Sequence, residues 1–114
     1  MKIKRFSNGF VYWCPGCDEH HYVRTMANER SPGWTFNGDE ASPTFSPSVK
    51  VTGKQCVIVD HEWTGEWVRG PDGKALDKCC HHFVRNGKIE YLSDCTHALR
   101  GMTIDLPEYP EGLA

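Results

Sequence analysis

The stretch that decides the fold covers residues 80–92 and reads CHHFVRNGKIEYL. Asn86-Gly87 stands between two runs of strand-favouring residues, and this dipeptide is the strongest short signal for a β-hairpin with a type I′ turn. The predicted register pairs Arg85 with Lys88, Phe83 with Glu90, His81 with Leu92 and Cys80 with Ser93. Cys80 and Cys95 are therefore expected at the same open end of the hairpin.

Side chains along a strand alternate between its two faces, so neighbouring residues of this hairpin have different environments. His81 lies on one face, and Cys80 and His82 lie on the other. Cys80 can therefore bind a metal ion while His81 points into a separate pocket. We interpret His82, like His20 and His61, as a surface residue.

The rest of the chain indicates further short strands separated by turn residues. Aromatic and β-branched residues predict strands at 9–13, 21–25, 34–38, 42–49, 55–59 and 102–106. Two prolines in 42–49 favour an edge strand or a rim segment. Residues 60–78 are predicted to form a long loop, and residues 96–100 one helical turn. The predicted fold class is mainly β: a small single domain over residues 1–114, built from hairpins and sheets with at most one short helix.

The composition limits both the size of the core and the class of partner. The chain has 114 residues, 39 % hydrophobic and 25 % charged, with a formal net charge of −2. This balance argues against a disordered tail and against a strongly basic nucleic-acid binder. A chain of this length buries about two-thirds of its unfolded surface. The core is therefore small, and the six cysteines and six histidines predict a stabilising cross-link in addition to it.

No stretch of the sequence resembles a signal peptide or approaches the roughly 20 apolar residues of a membrane-spanning helix. We therefore expect a cytoplasmic protein without a membrane partner, in which thiols stay reduced. Six cysteines then predict metal ligands or reactive thiols. Three disulfides in a secreted domain are the less favoured alternative.

The segment Cys14-Pro15-Gly16-Cys17 is the clearest chemical signal. Two thiolates across a Pro-Gly turn can both reach one zinc ion at about 2.3 Å, whereas a redox pair calls for a βαβ pattern that this sequence lacks. The predicted zinc ligands are Cys14, Cys17, Cys80 and Cys95, a closed tetrahedral set of the structural type. In an alternative set His97 replaces Cys80, and His21 is a third candidate.

Groups for nucleophilic chemistry lie near the same end of the hairpin. Ser46 and Ser48 occupy the Pro-flanked strand, and Asp94 and His97 follow the hairpin that carries His81. A serine activated by a histidine, which an aspartate orients, performs acyl transfer. With six histidines in the chain such proximity also arises by chance. A half-buried hairpin histidine and turn-forming serines are therefore the competing interpretation.

Four blocks of sequence together resemble one known family. They are WCPGC at 13–17, PTFSPS at 43–48, CHxF at 80–83 and DCTHAL at 94–99, the last leading to DLP at 105–107. The combination is similar to a family of small bacteriophage and prophage proteins, sometimes mislabelled ammonia monooxygenase, and it covers residues 10–107. Nothing in the chain resembles a copper or di-iron oxygenase site. Relatives of this family lie beside bacterial ubiquitin-like conjugation genes and act there as peptidases on the ubiquitin-like protein.

The resemblance implies a zinc-stabilised hydrolase, a peptidase that cuts the flexible tail of a ubiquitin-like or other protein after a glycine. Carried over by block, Ser46 or Ser48 is the nucleophile, and Asp94 orients the base. The base is His81 or His97. The catalytic residues predicted on this basis are Ser46, His81, Asp94 and His97.

Two other functions stay open at this stage. In the first, the chain is a non-enzymatic, zinc-binding phage accessory protein that binds a host protein through aromatic residues such as Trp63 and Trp67. In the second, the zinc ion itself activates water, which requires an open ligand position. The expected partner is a protein substrate or a host protein, and nucleic acid is not expected.

Overall fold

The computed structural model describes residues 1–110, which form ten β-strands and no helix. The strands are β1 (Ile3–Phe6), β2 (Gly9–Cys14), β3 (Glu19–Arg24), β4 (Thr35–Phe36), β5 (Phe45–Lys54), β6 (Cys56–Val59), β7 (Glu62–Trp67), β8 (Asp77–Arg85), β9 (Lys88–Tyr91) and β10 (Thr103–Asp105). The predicted mainly-β fold class is therefore confirmed. Within these residues no helix has the length and apolar character needed to cross a membrane. The predicted domain extends to residue 114, and residues 111–114 lie outside the described part, so its single-domain extent stays a prediction.

The strands form three antiparallel sheets. One sheet has the order β1-β2-β3, the second the order β10-β9-β8-β5-β4, and the third consists of β6 and β7. β5 and β8 are neighbours in the second sheet although β6 and β7 lie between them in the chain. The β6–β7 hairpin is therefore an insertion between two paired strands.

The β8–β9 hairpin has the register that its sequence predicts. The observed pairs include Arg85 with Lys88 and Phe83 with Glu90. Asn86 and Gly87 have φ values of 50° and 74°, in the left-handed region that a type I′ turn requires at both central positions. The side chains of β8 alternate accordingly, and those of Cys80 and His82 are completely buried.

The core lies between the three-stranded and the five-stranded sheet. All six residues of β2 are buried. The rings of Phe10 and Phe45 have centroids 5.8 Å apart, and the Tyr12 hydroxyl oxygen lies 2.7 Å from Nε2 of His82. These contacts join the central strand of one sheet to the middle of the other, so the two sheets form two packed layers.

The structure corrects two local predictions. The segment 60–78, predicted as a long loop, contains β7 and the start of β8. The glycines and charged residues of this segment obscure the strand pattern of β7 in the sequence. β7 pairs with β6, which directly precedes it in the chain. Residues 96–100, predicted as a helical turn, form turns without a helix; the Arg100 amide nitrogen lies 3.4 Å from the carbonyl oxygen of His97.

The Pro-containing strand is longer than predicted and is not a simple edge strand. β5 lies between β8 and β4. However, β4 pairs only Thr35 with Ser46 and Phe36 with Phe45. Beyond Ser46, the outer side of β5 therefore has no neighbouring strand within the described residues.

Candidate functional site

A serine, a histidine and an aspartate from three segments are in hydrogen-bonding distance on the outer face of the five-stranded sheet. Ser48 Oγ of β5 lies 3.1 Å from Nε2 of His81 on β8. The other ring nitrogen of His81, Nδ1, lies 3.0 Å from Oδ2 of Asp94, which follows β9. The carboxylate accepts a hydrogen bond from Nδ1–H, so Nε2 keeps its lone pair for the Ser48 hydroxyl. This is the geometry that activates a serine for nucleophilic attack.

The register of β5 against β8 selects Ser48 over Ser46. Lys50 is the register partner of His81, and an irregularity in the pairing separates Phe45 from Val49. Ser48 is two residues from Lys50, on the same face, whereas Ser46 lies about 7 Å further along the strand. Ser46 instead pairs with β4 and is exposed. Of the two serines that the sequence left open, the structure brings Ser48 to His81.

The serine site is open to solvent on one side. The side chain of His81 keeps 25 % of its exposure and that of Asp94 keeps 49 %. A polypeptide can therefore reach Ser48 Oγ from outside the sheet, while the opposite faces of the same strands are buried against β2. The arrangement suits a large, extended substrate better than a small molecule enclosed in a cavity.

Three cysteines and one histidine converge on the other side of β8. The ligand atoms of Cys14, Cys17, Cys80 and His97, hereafter the Cys3His cluster, all lie within 4.8 Å of one another. The Sγ atoms of Cys14 and Cys80 are 3.9 Å apart, and Cys80 Sγ lies 3.4 Å from His97 Nε2. Bonds of about 2.0–2.3 Å to a tetrahedral ion separate neighbouring ligands by about 3.5–3.8 Å. The cluster could therefore hold one metal ion.

Gly16 permits the close approach of His97 to the cysteine turn. A Cβ atom built on Gly16 would lie 2.4 Å from Cε1 and 2.5 Å from Nε2 of the His97 ring. The Leu99 amide nitrogen contacts Nδ1 of this ring at 3.2 Å. The imidazole is thus held between the turn and its own backbone, with Nε2 facing the thiols.

The pKa values of the three thiols of the Cys3His cluster depend on one another, because the thiols are hydrogen-bonded to each other. Hydrogen bonds from Cys17 and Cys80 hold the pKa of the Cys14 thiol well below its usual range. The same contacts with Cys14 raise the pKa of Cys17 to about 12 and that of Cys80 far above its usual range. A divalent cation that binds there would displace the protons that remain on these sulfurs.

Buried hydrogen-bonding contacts connect Cys80 to Tyr12 through the His82 ring. The Tyr12 hydroxyl and Nε2 of His82 form a hydrogen bond over 2.7 Å, and Nδ1 of His82 lies 3.3 Å from Cys80 Sγ. Burial lowers the pKa of His82 to about 4, so the ring is neutral at pH 7. His82 is completely buried. Its interpretation as a surface residue was wrong, because β8 directs every second side chain to the core.

His21, the third ligand candidate from the sequence, lies outside the Cys3His cluster. Its Nε2 is buried without a hydrogen-bond partner within residues 1–110, and it forms a second group with Cys80 and His82. That group shares Cys80 with the cluster, and Tyr12 already occupies one nitrogen of His82. The Cys3His cluster is therefore the better candidate metal centre.

The structure places Cys95 and His97 differently from the predicted arrangement. Cys95 Sγ donates to the carbonyl oxygen of His81 over 3.1 Å and lies 3.3 Å from the His81 amide nitrogen. It is absent from both Cys/His groups found in residues 1–110. His97, proposed from the sequence as a possible base, faces the thiols instead of Ser48. The set that converges is thus neither the four-cysteine set nor its alternative without Cys80.

The two sites share the same two segments of chain. On β8, Cys80 points to the cluster and His81 to Ser48. After β9, Asp94 points to His81 and His97 to the cluster. The segment is tied to β8 by Thr96, whose amide nitrogen lies 2.9 Å from the carbonyl oxygen of Cys79. The sequence alone would indicate that the two sites share these segments only if Asp94 and His97 could be assigned to opposite sides of the short connection after β9.

Comparison with known proteins gives one family. The model of a family described as "Bacterial ubiquitination-like system serine protease (BubE)" matches residues 2–92. The matched range includes Ser48 and His81 and ends two residues before Asp94. No curated protein and no solved structure matches the chain.

The ligand set is tested by two serine substitutions that are equally conservative. We expect Cys80→Ser to lose the bound metal ion, because it removes a thiolate from the centre of the Cys3His cluster. We expect Cys95→Ser to keep the metal, because this hydroxyl can replace the thiol in its contacts with the His81 backbone. Metal content per chain, measured by mass spectrometry after purification, decides between them. Loss of metal in Cys95→Ser together with retention in Cys80→Ser would contradict the assignment.

The close approach at Gly16 gives a second prediction. Gly16→Ala is expected to weaken metal binding at least tenfold, because its Cβ displaces the His97 ring from the thiols. Gly53→Ala is the matched control, since a Cβ there meets nothing within 4 Å. Competition with a chromogenic zinc chelator measures both affinities. Equal affinities in the two variants would show that His97 does not need its observed position.

Proposed function

The chain belongs to the family of serine proteases of bacterial ubiquitination-like systems, and from this premise we propose that it is a peptidase in which Ser48, His81 and Asp94 carry the reaction. The observation that supports these roles is the pair of hydrogen-bonding contacts on the two nitrogens of one imidazole. The order serine, histidine, aspartate along the chain is immaterial, because this catalytic unit is defined by its geometry.

The roles follow from the position of each group. Ser48 Oγ attacks the carbonyl carbon of the scissile bond, and His81 Nε2 accepts the hydroxyl proton. The tetrahedral species collapses to an acyl-enzyme, and His81 returns the proton to the departing amine nitrogen. Water then attacks the ester with His81 again as base, which releases the new carboxyl end and restores Ser48. Asp94 orients the ring and stabilises its cationic form.

We further propose that the Cys3His cluster holds zinc in a structural role. Three thiolates and one imidazole are a common ligand set of closed structural zinc sites. Cys14, Cys17, Cys80 and His97 would fill all four positions, which leaves none for a reactive water. The bound ion would supply folding free energy on the order of 10 kcal/mol. The hydrolytic chemistry would therefore belong to Ser48, with the zinc ion holding the segments that carry His81 and Asp94.

The proposed substrate is the flexible C-terminal tail of a ubiquitin-like protein. The family description supports a substrate within a ubiquitination-like system, and the exposure of His81 and Asp94 supports an extended chain that binds from solvent. A flexible tail can adopt the extended form without unfolding its domain. The six cysteines are free thiols, which supports a reducing compartment such as the cytoplasm.

A second candidate function rests on the β6–β7 hairpin. Trp63 and Trp67 retain 50 % and 38 % of their exposure, and their ring centroids lie 4.8 Å apart. Exposed paired tryptophans are typical anchors of protein interfaces. In a pure binding module, replacing both by alanine would abolish partner binding, and replacing Ser48 would leave it intact.

The peptidase is tested first with a small fluorophosphonate probe, which reacts with activated serines without needing a specific peptide. We expect covalent labelling of Ser48, identified by mass spectrometry of the labelled peptide. Ser48→Ala is expected to lose all labelling, and Ser46→Ala to keep it. Asp94→Asn is expected to reduce turnover of a cleaved peptide about 10⁴-fold, because the imidazole loses its correct tautomer. Labelling of Ser46 would contradict the assignment of the nucleophile.

Metal removal gives an independent prediction. Cys80 directly precedes His81 in the chain, and His97 follows Asp94 by three residues. Removing zinc with a chelator is therefore expected to displace His81 and Asp94 and to abolish fluorophosphonate labelling of Ser48. Adding zinc back should restore it. Labelling and metal content are followed in the same samples, and circular dichroism reports the fold. Full labelling in metal-free protein would show that the serine site does not depend on the cluster.

A further inference from the structure

The outer side of β5 is open next to Ser48 because β4 is so short. β4 pairs only with Phe45 and Ser46. The chain before it turns away at Gly33, whose φ is 80°, and the Trp34 amide nitrogen lies 2.8 Å from the carbonyl oxygen of Arg24 on β3. The space alongside Ser48 and the following residues of β5 is thus left without a strand in the described chain.

The hairpin geometry determines which backbone groups of β5 face this open side. In a two-residue hairpin the residues that flank the loop are a hydrogen-bonded pair, so Arg85, Phe83 and His81 direct their backbone groups to β9. The contact of 2.9 Å from the Leu92 amide nitrogen to the His81 carbonyl oxygen continues this pattern. The even-numbered residues of β8 therefore bond to β5.

It follows which residues of β5 are already bonded. Val49, Val51 and Gly53 are the register partners of residues 82, 80 and 78, so their backbone groups face β8. Lys50 and Thr52 alternate with them and direct N–H and C=O outwards. Both are exposed. Two residues of unpaired strand edge therefore begin directly after Ser48.

One hydrogen-bond donor of the protein already lies on the open side of β5. The indole nitrogen of Trp34 lies 3.3 Å from the carbonyl oxygen of Ser48. It occupies the position that the amide of a neighbouring strand would take. The open edge therefore begins at Lys50, directly beyond the Trp34 side chain.

We propose that an extended segment of the substrate binds as an added antiparallel strand along Lys50 and Thr52, in line with β4, and so places a peptide bond at Ser48. This inference rests on the proposed function. Its basis is that backbone pairing along a sheet edge gives affinity for any extended chain. Neighbouring strands lie about 4.8 Å apart, which brings the added backbone within reach of a side chain on the edge strand. The substrate class is an extended, proline-poor tail.

The chain offers a matched pair of variants to test this mode. Thr52→Pro removes an outward N–H from β5 without removing a bond to β8. Thr103→Pro makes the same change on β10, the opposite edge of the same sheet. Thr103 is also exposed and outward-facing, since Ile104 pairs with Ile89 and the Tyr91 amide nitrogen reaches the Met102 carbonyl oxygen.

Each variant is assayed with a fluorophosphonate probe and with a peptide selected because the wild-type protein cleaves it in a proteome-derived peptide library. We expect Thr52→Pro to keep labelling of Ser48 and to lose at least about tenfold in kcat/KM for the peptide, the loss that corresponds to one hydrogen bond. Thr103→Pro should match wild type in both assays. Unchanged peptide cleavage by Thr52→Pro would overturn the added-strand mode.

A second measurement uses the wild-type protein and therefore does not depend on the folding of a variant. Single N-methyl groups are placed at successive backbone nitrogens of the same peptide. We expect kcat/KM to fall at every second position, because alternate N–H groups of an added strand face β5. A loss without this period of two would overturn the mode while leaving Ser48 as the nucleophile. Absence of fluorophosphonate labelling in the wild type would instead overturn the proposed function itself.

Discussion

Adjacent residues of β8 point to opposite faces of the five-stranded sheet, and the rest of the site depends on this alternation. Cys80 points inwards to the Cys3His cluster, and His81 points outwards to Ser48. A shift of one residue in the register would exchange these two faces. The type I′ turn at Asn86-Gly87 prevents such a shift, so a short local signal places both the thiol and the imidazole.

With a bound metal ion, as proposed, the Cys3His cluster would add to the packing that so short a chain provides. Asp94 lies in an irregular connection after β9, where no strand pairing holds it. Three neighbours hold that connection instead: Cys95 bonds to the backbone of His81, Thr96 to that of Cys79, and His97 lies against the thiols. A metal ion bound there would position the carboxylate without touching it. The supporting chain of Tyr12 and His82 is buried and polar, which is tolerated because each hydrogen-bonding group has a partner.

Local signals in the sequence predicted the fold better than the site. The turn at Asn86-Gly87, the register of its hairpin and the mainly-β class depend on neighbours in the chain, and these predictions are confirmed. β7 was missed because exposed strands of an inserted hairpin have no buried face and hence no alternating pattern. The predicted strand at 42–49 ended too early, because its prolines indicate an irregular stretch. In the structure β5 continues beyond this stretch to Lys54.

The sequence by itself determined which chemical groups are present: a CxxC turn, a hairpin with Cys80 and His81 on opposite faces, and serine and aspartate on either side of it. Only the tertiary structure decided that Ser48 and not Ser46 meets His81, and that His97 and not Cys95 joins the thiols. Both choices depend on contacts between residues distant in the chain. The register of β5 against β8 selects the serine, and the path of the connection after β9 selects the fourth ligand. Neither leaves a periodic pattern in the sequence, because each is set by the packing of one segment on another.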